Sequence, residues 1–288
     1  MASKILMYLS YGPGPHVSEV VFSAMSALHT KRADDTFEIV ILTDDAAPYA
    51  DLPVTIELIT PQQMTDWAGP GGFGHRRKIV AFATVLKRFG VPVVLVDGDT
   101  YFRKSPQLLF DRIGPGRSVM HVREGELGYL AAHGYMKERL SGLVVDTPTA
   151  GKFELPAETV VFNAGVIGMD PSDAKLVDTV LELTDAIHAA SPSWLSEQVA
   201  FSMILRTRTR LSAVRDIVFH FHEKVMRAPL RAALPGLLKQ AAAIPAPQRY
   251  AFVYARRPKP PVVKKIKALL KRPLKRLGLF RHDLQTSI

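Results

Sequence analysis

The sequence predicts an α/β fold, a mixed sheet flanked by helices, and three observations carry that prediction. Uninterrupted apolar runs at 4–12 (KILMYLSYG), 37–45 (FEIVILTDD) and 91–99 (VPVVLVDGD) each stop at glycine or at acidic residues. Runs of this length without polar alternation suit strands covered on both faces, as in parallel sheets. Between them, 16–32 (HVSEVVFSAMSALHTKR) and 75–90 (HRRKIVAFATVLKRFG) space their apolar residues at helical intervals and finish on basic residues. Strands alternating with such helices build an α/β sheet.

Taken in order, residues 4–12 are the first strand and 16–32 the first helix, with Gly12-Pro13-Gly14-Pro15 as the corner between them. Residues 37–45 are the second strand, and 51–60 (DLPVTIELIT) another. The stretch 67–75 (WAGPGGFGH) is too rich in glycine to be regular and suits a loop that closes over a ligand; it lacks the lysine-serine pair of a P-loop. The helix of 75–90 stops at Gly90. After the strand of 91–99, residues 117–122 (RSVMHV) read as a strand and 124–142 as a helical or irregular excursion. Residues 158–170 (ETVVFNAGVIGMD) read as two short strands broken at Asn163-Ala164-Gly165. Residues 171–190 open on Pro171 and keep a 3.6-residue apolar period, which predicts a helix; 193–207 (SWLSEQVAFSMILRT) predicts another. The proline-rich stretches 244–248 (IPAPQ) and 256–261 (RRPKPP) read as linkers.

The chain has 288 residues, enough for one large domain with a tail. We divide it into a body at 1–250 and a basic amphipathic tail at 251–288. With no cysteine, neither a disulfide framework nor a cysteine-ligated zinc site is possible. The apolar run at the start is too brief for the core of a signal peptide, and no window approaches the ~20 apolar residues of a spanning helix. A cytoplasmic protein, or one peripheral to the inner face of a membrane, is expected. The formal charge of +10 is unevenly distributed: residues 1–223 hold 21 basic and 26 acidic residues, whereas 224–282 hold 16 basic and none acidic. Charge therefore says something about the tail and little about the body.

The chemistry gathers where the strand of 91–99 ends. Ligands of open α/β sheets collect outside the carboxyl ends of strands, and Asp97-Gly98-Asp99 falls there. Alternate residues of an extended chain share a face, and glycine between them lets the backbone bend so that both carboxylates approach one object. Hard divalent cations favour such oxygen ligands and often share them with substrate phosphates.

The series 93–102 (VVLVDGDTYF), 162–171 (FNAGVIGMDP), 196–202 (SEQVAFS) and 217–222 (IVFHFH) resembles the ordered motifs of GT-A glycosyltransferases. It is most similar to family 8, which includes glycogenin and the bacterial lipooligosaccharide galactosyltransferases, and the resemblance covers roughly residues 4–224. It implies the GT-A fold, a Rossmann-like nucleotide-binding sheet. It also implies that Asp97 and Asp99 hold Mn2+ or Mg2+ against the diphosphate of a nucleotide sugar, usually a UDP-sugar. The family's third metal ligand is a histidine that matches His220; His222, which shares its face in an extended segment, is the alternative.

By the same resemblance Asn163 and the Glu197-Gln198 pair face the transferred sugar, with Glu197 standing where the family commonly has aspartate. Donor binding falls to Tyr11, against the base, and to Arg77, Lys78 and Lys224, against the phosphates; the glycine and Lys-Pro-Trp that normally accompany the last of these are missing. Three cations, Arg76, Arg77 and Lys78, at the start of a helix oppose its dipole, so an anionic ligand is expected to compensate them. Retention of anomeric configuration is implied as well, with no general base assigned.

The segment 256–281 interleaves eleven cations with nine large apolar residues, interrupted at Pro273. That composition suits an interfacial helix on an anionic membrane, and nucleic acid would give the apolar residues no use. The activity expected is a metal-dependent transfer of sugar from a nucleotide sugar to a glycolipid or polysaccharide acceptor at a membrane surface, as in lipopolysaccharide or polysaccharide biosynthesis. The alternatives are a nucleotidyltransferase of similar sheet architecture, which would carry a basic, glycine-rich signature after the first strand, and a noncatalytic adaptor that works through the tail.

Overall fold

The chain folds around a seven-stranded sheet, seen here in a computed structural model that describes residues 4–134 and 140–259. The elements follow in order: β1 (Ile5–Ser10), α1 (Pro15–Thr30), β2 (Glu38–Thr43), β3 (Thr55–Leu58), α2 (Pro61–Ala68), α3 (Arg76–Phe89), β4 (Val93–Val96), β5 (Thr100–Phe102) and α4 (Gln107–Phe110). Next come β6 (Arg117–Met120), β7 (Arg123–Glu126), α5 (Leu127–Ala132), β8 (Leu143–Thr147), β9 (Gly151–Leu155), β10 (Val160–Phe162) and β11 (Val166–Met169). The chain continues through α6 (Lys175–Ala190), α7 (Ser196–Arg208), β12 (Arg210–Ala213), β13 (Val218–His220), α8 (Lys224–Ala241) and α9 (Gln248–Tyr254).

The strand order is β12-β6-β11-β4-β1-β2-β3. Every neighbouring pair is parallel except the two that involve β11, which runs against both β4 and β6. This is the mixed α/β sheet expected from the apolar runs. Alternation along the strands divides the core: Ile5, Met7 and Leu95 pack with α3, α6 and α7, while Leu6, Tyr8, Val94 and Val96 pack with α1, α8 and α9. Both faces of β1 and β4 are thereby dry, and the lack of polar alternation in their sequences is the consequence. Local signals set the helix ends. Gly90 closes α3 in the left-handed conformation at φ 62°, and Thr60 with Gln63 forms a capping box that opens α2.

Three short pairs lie outside the main sheet: β5 with β13, β7 with β10, and β8 with β9. The excursion at 124–142 contains the end of β7 and helix α5, and residues 135–139 lie outside the described residues. The helix expected from Pro171 begins instead with a 3-10 turn at Pro171–Asp173, where the Asp170 carboxylate accepts the Ser172 N–H, and α6 follows.

The carboxyl-terminal part differs from the expected linker and tail. Residues 244–247 lie in the turn between α8 and α9, with Gln248 opening α9, and both helices pack against α1, burying Leu230, Leu234, Leu237, Tyr250 and Val253. The division set at residue 250 thus falls inside α9, and ordered contacts continue to the Pro258 carbonyl, which accepts from the Tyr101 hydroxyl at 3.1 Å. The amphipathic stretch from Val262 onward lies outside the described residues. No helix among the described residues is long and apolar enough to cross a membrane.

Candidate metal centre and its cavity

Strand β4 delivers Asp97 to the carboxyl edge of the sheet, where its N–H donates to the Gly165 carbonyl at 2.9 Å. Gly98 is required for packing rather than for an unusual backbone angle: a Cβ there would stand 2.7 Å from Val20 Cγ2 of α1. The chain then turns into β5, whose antiparallel register with β13 sets Thr100 opposite His220, and the Phe221 N–H donates to the Asp99 carbonyl. One strand pair thereby carries a histidine across 121 residues of sequence to within 3.0 Å of Asp99. Asp97, Asp99 and His220 each offer a ligand atom, and these atoms all lie within 4.8 Å of one another. They line a cavity of about 600 Å3 together with Tyr11, His16, Glu124, Asn163, Trp194, Glu197, Gln198, His222 and Arg227, among others.

Hydrogen bonding fixes the His220 ring. Asn163 Oδ1 accepts from the Gly165 N–H at 2.9 Å, and Asn163 Nδ2 donates to Glu124 Oε1 at 2.8 Å, so the amide has one orientation. His220 Nδ1, 2.9 Å from the same Oδ1, must therefore donate to it. In the neutral ring that leaves the lone pair on Nε2, on the side of Asp99, which is the tautomer a metal ligand needs. Gly165 makes room for the ring, because any Cβ there would collide with His220. Two carboxylates and an imidazole in the correct tautomer are a donor set that fits a hard or borderline divalent cation. His222 lies beside His220, with ring centroids 4.6 Å apart, and lines the cavity without joining the convergent trio.

The protein's own cations balance these acids. Lys78 Nζ is 2.8 Å from Asp97 Oδ1 and donates to the Ala164 carbonyl at 2.7 Å. It also stands 3.4 Å from Glu197 Oε1, an ion contact without hydrogen-bond geometry, since that oxygen has no hydrogen-bond partner among the described residues. Burial alone would lower the Lys78 pKa, but Asp97 and Glu197 outweigh it and hold the ammonium above its usual value. Burial raises the Glu197 carboxyl, with Lys78 and His75 opposing. On the other flank, Arg227 NH1 reaches Asp99 Oδ2 at 2.7 Å, while its Nε and NH2 grip both oxygens of Glu19 on α1. Arg231 grips the same carboxylate in the same manner. Burial would raise the Asp99 carboxyl, but His220 and Arg227 hold it well below the usual range. For His220 the opposing influences are burial, which lowers it, and Asp99, which prevails and raises it.

The structure brings together Asp97, Asp99, His220, Asn163, Glu197, Gln198, Tyr11 and Lys78 around one cavity. Several of them also have partners within the protein. The Asn163 amide is spent on Glu124, Gly165 and His220, so it orients the ring. Gln198 donates to Glu124 at 2.6 Å and accepts from the Ala164 N–H. Lys78 is committed to the protein's own acids. Arg77 is turned away from the cavity: its Nε donates to the Met64 carbonyl at 2.7 Å and its guanidinium lies 5.1 Å from the centre of the Tyr11 ring. Lys224 opens α8 exposed and outside the cavity lining. The cations at the start of α3, expected to await an anionic ligand, are met internally, with Arg76 on Asp185 at 2.8 Å. Sequence reasoning missed Arg227, Glu19 and Glu124. Arg227 had one available signal, since it stands one helical turn beyond Lys224; the other two had none, because only the fold places them.

No family model matches the chain, and no curated protein matches it. Among solved structures it is similar to the apo structure of WbbM, a bifunctional glycosyltransferase. That match has 12% identity and a TM-score of 0.49, and it covers 74% of this chain and 39% of that one. It is also similar to the apo form of mouse xyloside xylosyltransferase 1, at 15% identity and a TM-score of 0.46, over 73% of this chain and 84% of that one. The chain thus spans well under half the length of the WbbM chain. At such identity and overlap neither likeness assigns a function, and the case for one rests on the residues of the site.

Proposed function

We propose that the protein is a metal-dependent glycosyltransferase of the GT-A type, moving a hexose from a nucleotide sugar, with UDP as the expected nucleotide, to a hydroxyl of a glycolipid or polysaccharide. The observation that supports this most is the convergence of Asp97, Asp99 and a tautomer-fixed His220 at the carboxyl edge of a largely parallel sheet, inside a cavity wide enough for a nucleotide sugar. Mn2+ or Mg2+ held by those three residues would supply positive charge to the diphosphate of the donor. The bond from the anomeric carbon to the diphosphate oxygen breaks with its electron pair on that oxygen. The acceptor oxygen bonds the same carbon and passes its proton to the departing diphosphate oxygen.

The chain's own residues do the rest. Arg227, a cavity-wall cation held by Glu19 and paired with Asp99, is assigned to the diphosphate in preference to exposed Lys224. Lys78 holds Asp97 in position and balances Glu197. Glu197 and Gln198 line the cavity where sugar hydroxyls need acceptors and donors. The Tyr11 ring, backed by Arg77, offers a face for the base. Retention of configuration, and attachment of the basic tail to an anionic membrane from the cytoplasmic side, belong to the same proposal. The cations and apolar residues of 256–281 support the attachment.

The test is a panel of nucleotide sugars with Mn2+, read by release of nucleoside diphosphate and by protection against thermal unfolding. At least one UDP-sugar is expected to do both, and Asp97→Asn and Asp99→Asn are each expected to reduce turnover by at least about 100-fold. Turnover that survives in Asp99→Asn, or the absence of any stabilising nucleotide sugar, would refute the proposal.

A further inference from the structure

Trp194 lies in the connection between α6 and α7 and is 55% exposed, whereas its neighbours Ser193 and Leu195 are each only 2% exposed. The backbone beneath it is pinned. Ser193 Oγ accepts the Leu195 N–H at 3.2 Å, and the Ser193 carbonyl accepts from the Ser196 hydroxyl at 2.8 Å. The indole is therefore held out into water by an ordered segment. It lines the same cavity as Asp97, Glu124, Glu197 and Gln198. What distinguishes Trp194 from the other exposed apolar side chains, Leu58, Val144 and Val225, is that it lines this cavity, where its ring is available to a ligand that enters.

The surroundings indicate which ligand. A flat aromatic face matches the C–H face of a pyranose, whose hydroxyls radiate from the ring edge and need acceptors. Glu124, on the wall of the same cavity, supplies such an acceptor. Exposure of the ring further suits a sugar that arrives from solvent as part of a larger glycan, not the donor sugar held inward against Asp97. We infer that Trp194 is the stacking platform of the acceptor subsite and that its ligand is a pyranose of the acceptor saccharide. The inference rests on the transferase proposed above and adds the residue that selects the acceptor.

The chain has two tryptophans, and the other, Trp67, is buried, so the Trp194 emission is isolated by comparing the native protein with Trp194→Phe. The probes are methyl glycosides of galactose, glucose and N-acetylglucosamine, with UMP as the contrast, titrated without donor. At least one glycoside is expected to quench or blue-shift the native emission and to leave Trp194→Phe unchanged. In turnover, Trp194→Ala is expected to raise KM for that glycoside about fivefold to tenfold, more than it raises KM for the donor, with Trp194→Phe recovering most of the loss. A response to UMP alone, no response to any glycoside, or an equal rise in both KM values overturns the inference. The titration needs no turnover, so it remains readable if the transferase proposal fails on donor release.

Discussion

The two carboxylates of the candidate metal centre stand two residues apart and belong to different parts of the molecule. Asp97 is half-buried, extends a central strand, and takes its counter-charge from Lys78 on the helix that leads into that strand. Asp99 is buried and takes its counter-charges from His220 and Arg227, which arrive from the far end of the chain. The Asp97 side depends on the sheet, whereas the Asp99 side depends on the docking of α8 against α1. Glu19 is the pivot of that docking: its carboxylate is fully buried and bound by two arginines whose side chains are 29% and 33% exposed.

The largest expected effect breaks the Asp99 side. Glu19→Gln strands two guanidinium groups, and a loss of about 2–3 kcal/mol is expected in urea denaturation, less than for a wholly dry ion pair because the arginines reach water. The Lys78–Asp97 contact should survive it. Next comes Asn163→Ala, which removes the acceptor for His220 Nδ1 and frees the ring to take the other tautomer. Mn2+ affinity measured by calorimetry should fall about 10–100-fold, while Asp97 and Asp99 remain in place.

The smallest expected effect is a pH dependence. The raised pKa of His220 means that its stabilising contribution is complete below the usual value of 6.5 and is lost as pH rises through the folded value. The depressed Asp99 contributes above the usual value of 3.8 and loses that contribution as pH falls through its folded value. In EDTA the melting temperature should therefore decline above pH 6.5, with the decline flattened in His220→Gln. Mn2+ affinity should rise over the same interval, as the proton on Nε2 gives way.

The legible parts of this fold were those written locally. Apolar runs in β1, β2 and β4 and the helical spacing in α1, α3, α6 and α7 follow from period and burial, and Asp97 and Asp99 were readable because they end such a run. Helix α8 was not foreseen. It keeps Pro229 and Pro235 inside it, which reads as a break, yet Leu230, Leu234 and Leu237 bury enough apolar surface on the body to sustain it. The roles of Glu19 and Glu124 were illegible, and that of Arg227 was signalled only by its spacing from Lys224, because each is defined by a partner far along the chain. The same holds for the partners of Lys78 and Asn163, residues that the family resemblance assigned to the donor and that meet Asp97 and His220 here.

Strand β11 limits how this chain can be rewired. Because it opposes β4, its first residue Val166 sits beside Val96, the last of β4. Reversing a four-residue strand would carry its leading corner, Asn163 to Gly165, about 13 Å away to the opposite rim. A graft or redesign that preserved strand order and hydrophobic content but made all seven strands run one way would still be able to fold. Its candidate cation site would lose the Asn163 amide that aims the His220 imidazole.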